Sequence, residues 1–390
     1  MKIIYLATGY STEGVNQKLE DKILSLRKIG MDCTLYIIVP HNFPGQDTDL
    51  TKFIRVNFSW VNRFSSIPFF WRTTVWMTNY ISYRNLHREI DSKQADVTLI
   101  RYPVSDSNFW RFIQKLKTKF VLEHNTLELE ELTVRAKDSY WYAYSLRGEN
   151  KFGKRVRSRA SGLIGVTDEI ADRQRALVES RVPTVCISNG IDVQRVPVKQ
   201  ELKFDGTYLN LLVLVGSDAP WHGVQVIVNG LDRYTGDCSI TLYLAGNLSD
   251  ETKRLVANRP SVVVLPNQKG KALDDLVNTC HVGLAGLSLE SKKMRQACSL
   301  KVREYWSRGL PIVLGHEDVD LVANHNMKPF YCEVSLHGDH TFALEELIAF
   351  SKQVYSIPDR HEKMRALALQ QIDYPVKAAH YAAFLESVVK

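Results

Sequence analysis

Short apolar runs alternate with amphipathic stretches from one end of the chain to the other. Lys2–Ala7, Cys33–Val39, Val97–Arg101, Phe120–Glu123 and Gly162–Val166 form a first series of strand-like runs. Leu209–Val215, Ile240–Ala245, Val262–Leu265, Val282–Ala285 and Pro311–Leu314 form a second. Helical patterns fall between them, as at Val15–Ile29, Val224–Tyr234 and Leu273–Asn278. The strand-like runs are continuously apolar, as expected of strands covered on both faces. Strand alternating with helix predicts parallel sheets, and two series predict two doubly wound α/β domains.

The break between the series is legible. Ile187-Ser188-Asn189-Gly190-Ile191-Asp192 carries an Asn-Gly turn signal. The polar stretch Val193–Thr207 has no clear period and reads as a linker. The expected domains are 1–192 and 193–373. Pro375–Val389 reads as a last helix with proline in its first turn.

Composition narrows the class. A chain of 390 residues suits two domains, and 45% hydrophobic residues suffice for sizeable cores. No run of 18 apolar residues occurs, so no transmembrane helix is expected. Met1–Leu6 is too short for a signal peptide's apolar region and reads as a strand. The six cysteines are scattered and none forms a CxxC pair, so neither a zinc site nor a disulfide framework is indicated. A reducing, cytoplasmic setting fits best. The net charge of +7 suits an acidic partner, though ordinary solubility also accounts for it.

Two basic or aromatic stretches invite a membrane reading. In the first, Phe69, Trp76, Tyr80, Tyr83, Leu86 and Ile90 fall at helical spacing, so a core-facing stripe is expected instead. The second, Lys151–Arg159, holds five basic residues in nine and reads as a solvated helix face. Contact with an anionic membrane or a pyrophosphate-linked acceptor is the competing reading. Nucleic-acid binding lacks suitable aromatic interleaving.

Ligands of open parallel sheets bind beyond the carboxyl ends of strands, so the loops there hold the candidate chemistry. Ser299–Pro311 reads as a helix ending at Gly309. Free N–H groups at its start, near Ser299 and Leu300, can hold a phosphate. Glu304, roughly 6 Å further on, can accept bonds from vicinal hydroxyls. Val215–Gly223 brings Gly216, His222 and Gly223 to the start of another helix. Ala7–Gly14, with Gly9 and Gly14, lies between the first strand and first helix. Glu123-His124-Asn125 places carboxylate, imidazole and amide together at a strand end, which is costly unless each is satisfied. No GxGxxG follows any of these strands, which argues against a dinucleotide-dependent dehydrogenase.

Together these segments resemble the retaining glycosyltransferases of GT-B fold, glycosyltransferase family 4 in particular. Lys301-Val302-Arg303-Glu304-Tyr305 with Gly309-Leu310-Pro311 resembles that family's Lys-x-x-Glu-Tyr-x-x-x-Gly-x-Pro signature, and Asn189-Gly190-Ile191-Asp192 its domain-end motif. Leu244-Ala245-Gly246 is similar to its sugar-nucleotide strand, and Trp221-His222-Gly223 to a subgroup concerned with surface polysaccharides. The resemblance implies two Rossmann-like domains facing a cleft, with residues 374–390 crossing back to an acceptor-binding first domain. It implies that Glu304 holds the donor ribose and that the backbone of Ser299 and Leu300 holds the diphosphate. Pro266 and Asn267 would flank the base. His124 would contact the transferred sugar, and Gly14 would allow close approach. Ser217 and His222 stand where many members carry Arg and Lys, and Gln296 stands for the first of two glutamates. Lys301, or Lys292, Lys293 or Arg295, is then expected to supply the missing cation.

The expected activity is transfer of a hexosyl-type sugar from a UDP- or GDP-linked donor to a saccharide acceptor, lipid-linked or part of a surface polysaccharide. Retention of anomeric configuration is expected, with no metal and no cofactor beyond the donor. The expected place is cytoplasmic, with peripheral contact at the inner face of a membrane. The alternative is a catalytically silent binding or scaffold subunit.

Overall fold

The structure is a computed structural model that describes residues 1–7, 13–57, 68–91, 93–137, 139–178, 182–216, 218–334 and 343–390, without the side chains of residues 13, 14 and 68–72. The chain forms two compact units, Met1–Ile187 with Lys377–Lys390, and Ser188–Val376.

The first unit is built on seven parallel strands: β1 (Lys2–Ala7), β2 (Asp32–Pro40), β3 (Thr51–Val56), β4 (Val97–Arg101), β5 (Lys119–His124), β6 (Gly162–Gly165) and β7 (Thr184–Cys186). Their order is β3-β2-β1-β4-β5-β6-β7, reversing direction between β1 and β4. Continuous apolar strands have a simple cause here. Ile3, Tyr5 and Ala7 of β1 enter one core, while Ile4 and Leu6 enter another on the opposite face. The helix Tyr374–Val389 covers the first of these faces with Ala378, Tyr381, Ala382, Leu385 and Val388, at helical spacing.

The second unit has six parallel strands: β8 (Tyr208–Val215), β9 (Ser239–Gly246), β10 (Val262–Leu265), β11 (Val282–Ala285), β12 (Ile312–Leu314) and β13 (Tyr331–Glu333). Their order is β10-β9-β8-β11-β12-β13, so the reversal falls between β8 and β11. Such reversals mark where open α/β sheets bind ligands.

Several expectations need correction. Strands β3, β7 and β13 were not anticipated. All three are sheet edges, short and only partly buried, so they lack a continuous apolar run. The stretch 193–207 is packed rather than loose at several points. Val193 and Val196 are buried, and the Lys199 N–H donates to the Arg308 carbonyl at 2.8 Å. Ser188–Asp192 lies in the second unit, not the first. Asn189 Nδ2 donates to the Cys298 carbonyl at 2.7 Å, and the Ile191 N–H to that of Ile372 at 3.0 Å.

The helix Pro68–Asp91 buries Val75, Thr78, Ser82, Leu86 and Ile90. Tyr80, expected in the core stripe, lies nearly opposite and is exposed, with Met77 and Ile81 beside it. The Phe69 side chain lies outside the described residues. Of the five basic residues in Lys151–Arg159, four are exposed, but Arg157 is buried in an ion-pair network. All six cysteines are free thiols. Among the described residues no helix is long and apolar enough to cross a membrane.

Candidate functional site

In the second unit four adjacent strands end on glycine: Gly216 after β8, Gly246 in β9, Gly286 after β11 and Gly315 after β12. This clears side chains from the carboxyl edge on both sides of the β8/β11 reversal. Gly246 has φ +144°, and a Cβ there would come within 1.6 Å of the Val215 carbonyl oxygen. After β8 a short 3-10 turn, Pro220–His222, leads to Gly223 and the helix Val224–Arg233. Gly223 has φ +74° and lies against Leu287, where a Cβ would approach to 2.6 Å. Only glycine combines that backbone with that contact. Asp218 Oδ2 accepts bonds from Ser249 N and Oγ at 2.8 and 2.6 Å, joining this loop to the one after β9.

The helix Leu300–Arg308 begins at the same edge. Ser299 is its N-cap, but its hydroxyl makes no capping bond. The N–H groups of Ser299, Leu300 and Lys301 have no hydrogen-bond partner among the described residues. These groups and the helix dipole suit an anion. Lys301 Nζ lies 3.0 Å from His222 Nδ1, within hydrogen-bond distance. Burial pushes the Lys301 amine down to about 7. Such a lysine gains a proton readily when an anion arrives.

Glu304 is half-buried on the next turn. Its Oε1 accepts from Arg308 Nε at 2.8 Å, and Arg308 also holds Asp274 at 2.7 Å. Glu304 Oε2 has no hydrogen-bond partner among the described residues. Arg303, in the same helix, is fully buried. It donates to the Asn189 carbonyl at 2.8 Å, to both oxygens of Asp318 at 3.0 Å and to Asp320 at 2.6 Å. Arg303 therefore positions the helix, while Lys301 and Glu304 remain available to a ligand.

The other expected donor residues are less concentrated. Gln296 Nε2 donates to Glu317 Oε2 at 3.3 Å, so a carboxylate does stand beside the amide. Pro266 and Asn267 are exposed after β10, an edge strand two places from β8. Lys292 Nζ sits 3.9 Å over the Trp221 ring, and Lys293 is exposed. Ser217 and Gly9 lie outside the described residues, and Gly14 falls in the first turn of Glu13–Lys28.

His124 belongs to the first unit and is fully buried. Its Nδ1 is 2.8 Å from Glu128 Oε1, and its ring lies 4.3 Å from that of Tyr102. Nε2 has no partner. Glu128 also accepts from Gln174 at 2.9 Å and pairs with Arg157, which binds Glu149 at 2.6 Å. Glu123, next to His124, proves to be core rather than site. Lys22 Nζ at 2.6 Å, Tyr381 OH at 2.9 Å and Tyr5 OH at 3.0 Å all point at its Oε2. Burial alone would raise its pKa, but Lys22, Lys18 and Arg101 hold it far below the usual carboxylate range.

A cavity of about 370 Å³ opens beyond β4 and β5, its walls including Arg101, Asn125, Glu131, Arg135, Trp141 and Tyr142. Arg101 donates to Asn125 at 3.2 Å and has no ion-pair partner among the described residues. Arg135 stacks on Tyr142 at 4.1 Å. Asp106, Glu128 and Glu131 line the same cavity, so it is aromatic and mixed in charge, and its polar groups suit a polyhydroxylated sugar ring. Sequence reasoning passed over Arg101, although a charged residue closing an apolar strand is the same signal that exposed Glu123. It also passed over His316, just after Leu314-Gly315. His316 Nδ1 donates to the Gly286 carbonyl at 3.1 Å, and its buried Nε2 has no hydrogen-bond partner among the described residues. Burial lowers its pKa.

No protein-family model and no curated protein sequence matches this chain. Solved structures do. Sucrose-phosphate synthase from Thermosynechococcus elongatus matches with a TM-score of 0.68 at 11% identity, over 99% of this chain and 98% of its own. HepE of Anabaena, in complex with UDP-glucose, matches with 0.62 at 12%, over 99% and 100%. WaaG, a glycosyltransferase involved in lipopolysaccharide biosynthesis, matches with 0.57 at 13%, over 99% of both chains. The similarity spans both units, and the fold of this chain is the GT-B fold of glycosyltransferases.

Proposed function

We propose that the protein is a glycosyltransferase that moves a hexosyl-type sugar from a nucleoside-diphosphate sugar to a saccharide acceptor, with retention at the anomeric carbon. One observation carries the reading. The open first turn of Leu300–Arg308, Lys301 paired with His222, and the free oxygen of Glu304 share one helix at a cleared sheet edge. The diphosphate binds the N–H groups of Ser299, Leu300 and Lys301. Lys301 takes up a proton and neutralises the charge that develops on the leaving group. Glu304 Oε2 accepts bonds from the ribose hydroxyls. In the retaining scheme the departing phosphate oxygen takes the proton of the attacking hydroxyl, so no protein base is required at that step. No metal is assigned to the reaction.

The acceptor binds in the first unit, in the cavity walled by Arg101 and Tyr142. A lipid-linked or surface polysaccharide intermediate fits its lining of aromatic and hydrogen-bonding side chains, and a neighbour involved in lipopolysaccharide biosynthesis supports that class. The test has two stages. Thermal stability is measured with UDP-, GDP-, dTDP- and ADP-sugars, since a specific donor stabilises by mass action. The stabilising donor is then assayed for transfer to oligosaccharides, and the anomeric configuration of the product is read by NMR. Absence of any stabilising nucleotide sugar refutes the reading. Binding without turnover favours the scaffold reading, which the uncharged Gln296 motivates.

A further inference from the structure

Building on the acceptor reading above, we infer that the acceptor is a phosphorylated saccharide, and that a second cavity of the first unit holds its phosphoryl group. This cavity, of about 210 Å³, lies between the helices Pro68–Asp91 and Ser107–Lys115. Arg84, His87 and Arg88 line it from one helix, and Arg111 and Lys115 from the other. No described carboxylate lines it. None of the five basic side chains makes a hydrogen bond or ion pair with a described residue. Arg84 with Arg88, and Arg111 with Lys115, are like-charged pairs four residues apart, an unfavourable spacing on a helix. An anion between the two helices relieves that repulsion. The nearby Asp91 is engaged by Lys117 at 2.8 Å and does not supply it.

Asn108 lines the same cavity and is 2% exposed. Its Nδ2 donates to the Trp76 carbonyl at 2.9 Å, while its buried Oδ1 has no hydrogen-bond partner among the described residues. A fully ionised phosphate has no proton to offer that oxygen, but a sugar hydroxyl beside a phosphate ester does. The wall thus offers cations to a phosphate and one acceptor to the sugar that carries it.

This cavity adjoins the one assigned to the acceptor sugar. Tyr83 lines both, flanked by Ser82 in the first and Arg84 in the second. Asp106 lines the first and Asn108 the second. Asp106 has its bonds already made. Its Oδ1 accepts from the N–H groups of Asn108 and Phe109 at 2.9 and 2.8 Å, and its Oδ2 from Asn79 at 2.8 Å. From Asn79, in the first cavity, to Arg88, in the second, the helix rises about 14 Å. The division of charge orients the ligand. The first cavity sets Asp106, Glu128 and Glu131 beside Arg101 and Arg135, which suits a neutral sugar and disfavours a phosphate. The second offers cations without described carboxylates, so the phosphoryl end lies there.

The experiment is calorimetric binding of maltose, lactose and cellobiose, each free and as its 1-phosphate, to the purified full chain without donor. Each 1-phosphate should bind at least about tenfold more tightly than its free sugar, the worth of a hydrogen bond to a charged group. The advantage should shrink as salt rises. Inorganic phosphate alone should bind more weakly than the sugar phosphates. The triple variant Arg84→Gln, Arg88→Gln, Arg111→Gln should abolish the advantage, and Arg111→Gln with Lys115→Gln should reduce it. These side chains are exposed, and circular dichroism checks that the variants fold. Lys301→Met should keep the advantage, which separates this cavity from the phosphate-binding helix of the second unit. Lys253→Gln with Arg254→Gln, exposed in the second unit, should keep it too. Equal affinities within all three pairs overturn the inference, as does an advantage that survives the triple variant or vanishes in Lys301→Met. Inorganic phosphate binding as tightly as the sugar phosphates also overturns it and assigns the pocket to a free anion. No donor is present, so the two failures are separable. An empty nucleotide-sugar screen refutes the transfer reading, and equal affinities here refute the phosphorylated acceptor alone.

Discussion

Lys301 gives the proposed donor site a pH signature. Its amine, at about 7 in the free protein against an ordinary 10.5, is half-neutral near pH 7. A phosphate charge about 4 Å away contributes about 4 kcal/mol at an effective dielectric constant of about 20. That is about three pKa units, enough to restore a value of about 10. Donor binding at about pH 8 should therefore take up about 0.9 proton, and affinity should fall about 50-fold between about pH 7 and pH 9. A nucleotide sugar is the right probe, because its diphosphate diester does not titrate in this window. Calorimetry in buffers of different ionisation enthalpy counts the protons directly. Lys301→Met should bind weakly and flatten the profile. The neighbouring His222 and His316 are tested separately by His222→Asn and His316→Asn, which should leave the slope above about pH 7.5 in place. The sign for folding is the opposite. The unfolded chain keeps the lysine protonated up to its ordinary pKa, so the unliganded protein gains stability as pH rises from about 7 to 10. A flat affinity profile in the native protein, or a slope that survives Lys301→Met, would refute the assignment.

Three further outcomes are expected. Glu304→Gln should raise the donor Kd at least about tenfold, the worth of a hydrogen bond to a charged group, while the fold persists because the buried Arg308 keeps its ion pair with Asp274 and the glutamine oxygen can still accept from it. Glu123→Gln should cost about 3–5 kcal/mol in denaturant unfolding, since it strands the buried Lys22 cation, and Lys22→Met with Glu123→Leu should recover much of the loss. Glu123's depressed pKa contributes stability that is present above the ordinary carboxylate range and lost only as pH falls through its much lower folded value. A midpoint for Glu123→Gln equal to that of the native protein would count against the network. Gly246→Ala should destabilise the second unit by more than about 3 kcal/mol, because its Cβ meets the Val215 carbonyl and cannot be relieved by a rotamer change.

Much of the fold was legible because its strands are buried on both faces. Alternate residues of β1 and β2 feed different cores, so both parities are apolar and the run stands out. Edge strands β3, β7 and β13 face partly to solvent and carry no such run. Candidate residues were legible where a polar side chain closes an apolar strand or stands in the first turns of a helix, as with Lys301 and Glu304. The same rule misassigned Glu123. Its partners Lys22 and Tyr381 lie 101 and 258 residues away, and no local pattern shows that they satisfy it.

The sequence by itself determined the alternation of strand and helix, the two-sheet architecture and the helix that begins at Ser299. Those follow from periodicity and termination signals, which are local properties of the chain. Tertiary structure decided which charges are balanced. It assigned Arg303 and Glu123 to buried networks and left Arg101 at a cavity wall without an ion-pair partner among the described residues. It also turned Tyr80 outward, away from the core stripe expected of its helix. The physical reason is that the cost of a polar group depends on partners that only folding brings near, whereas the cost of an exposed apolar run is set by the run itself.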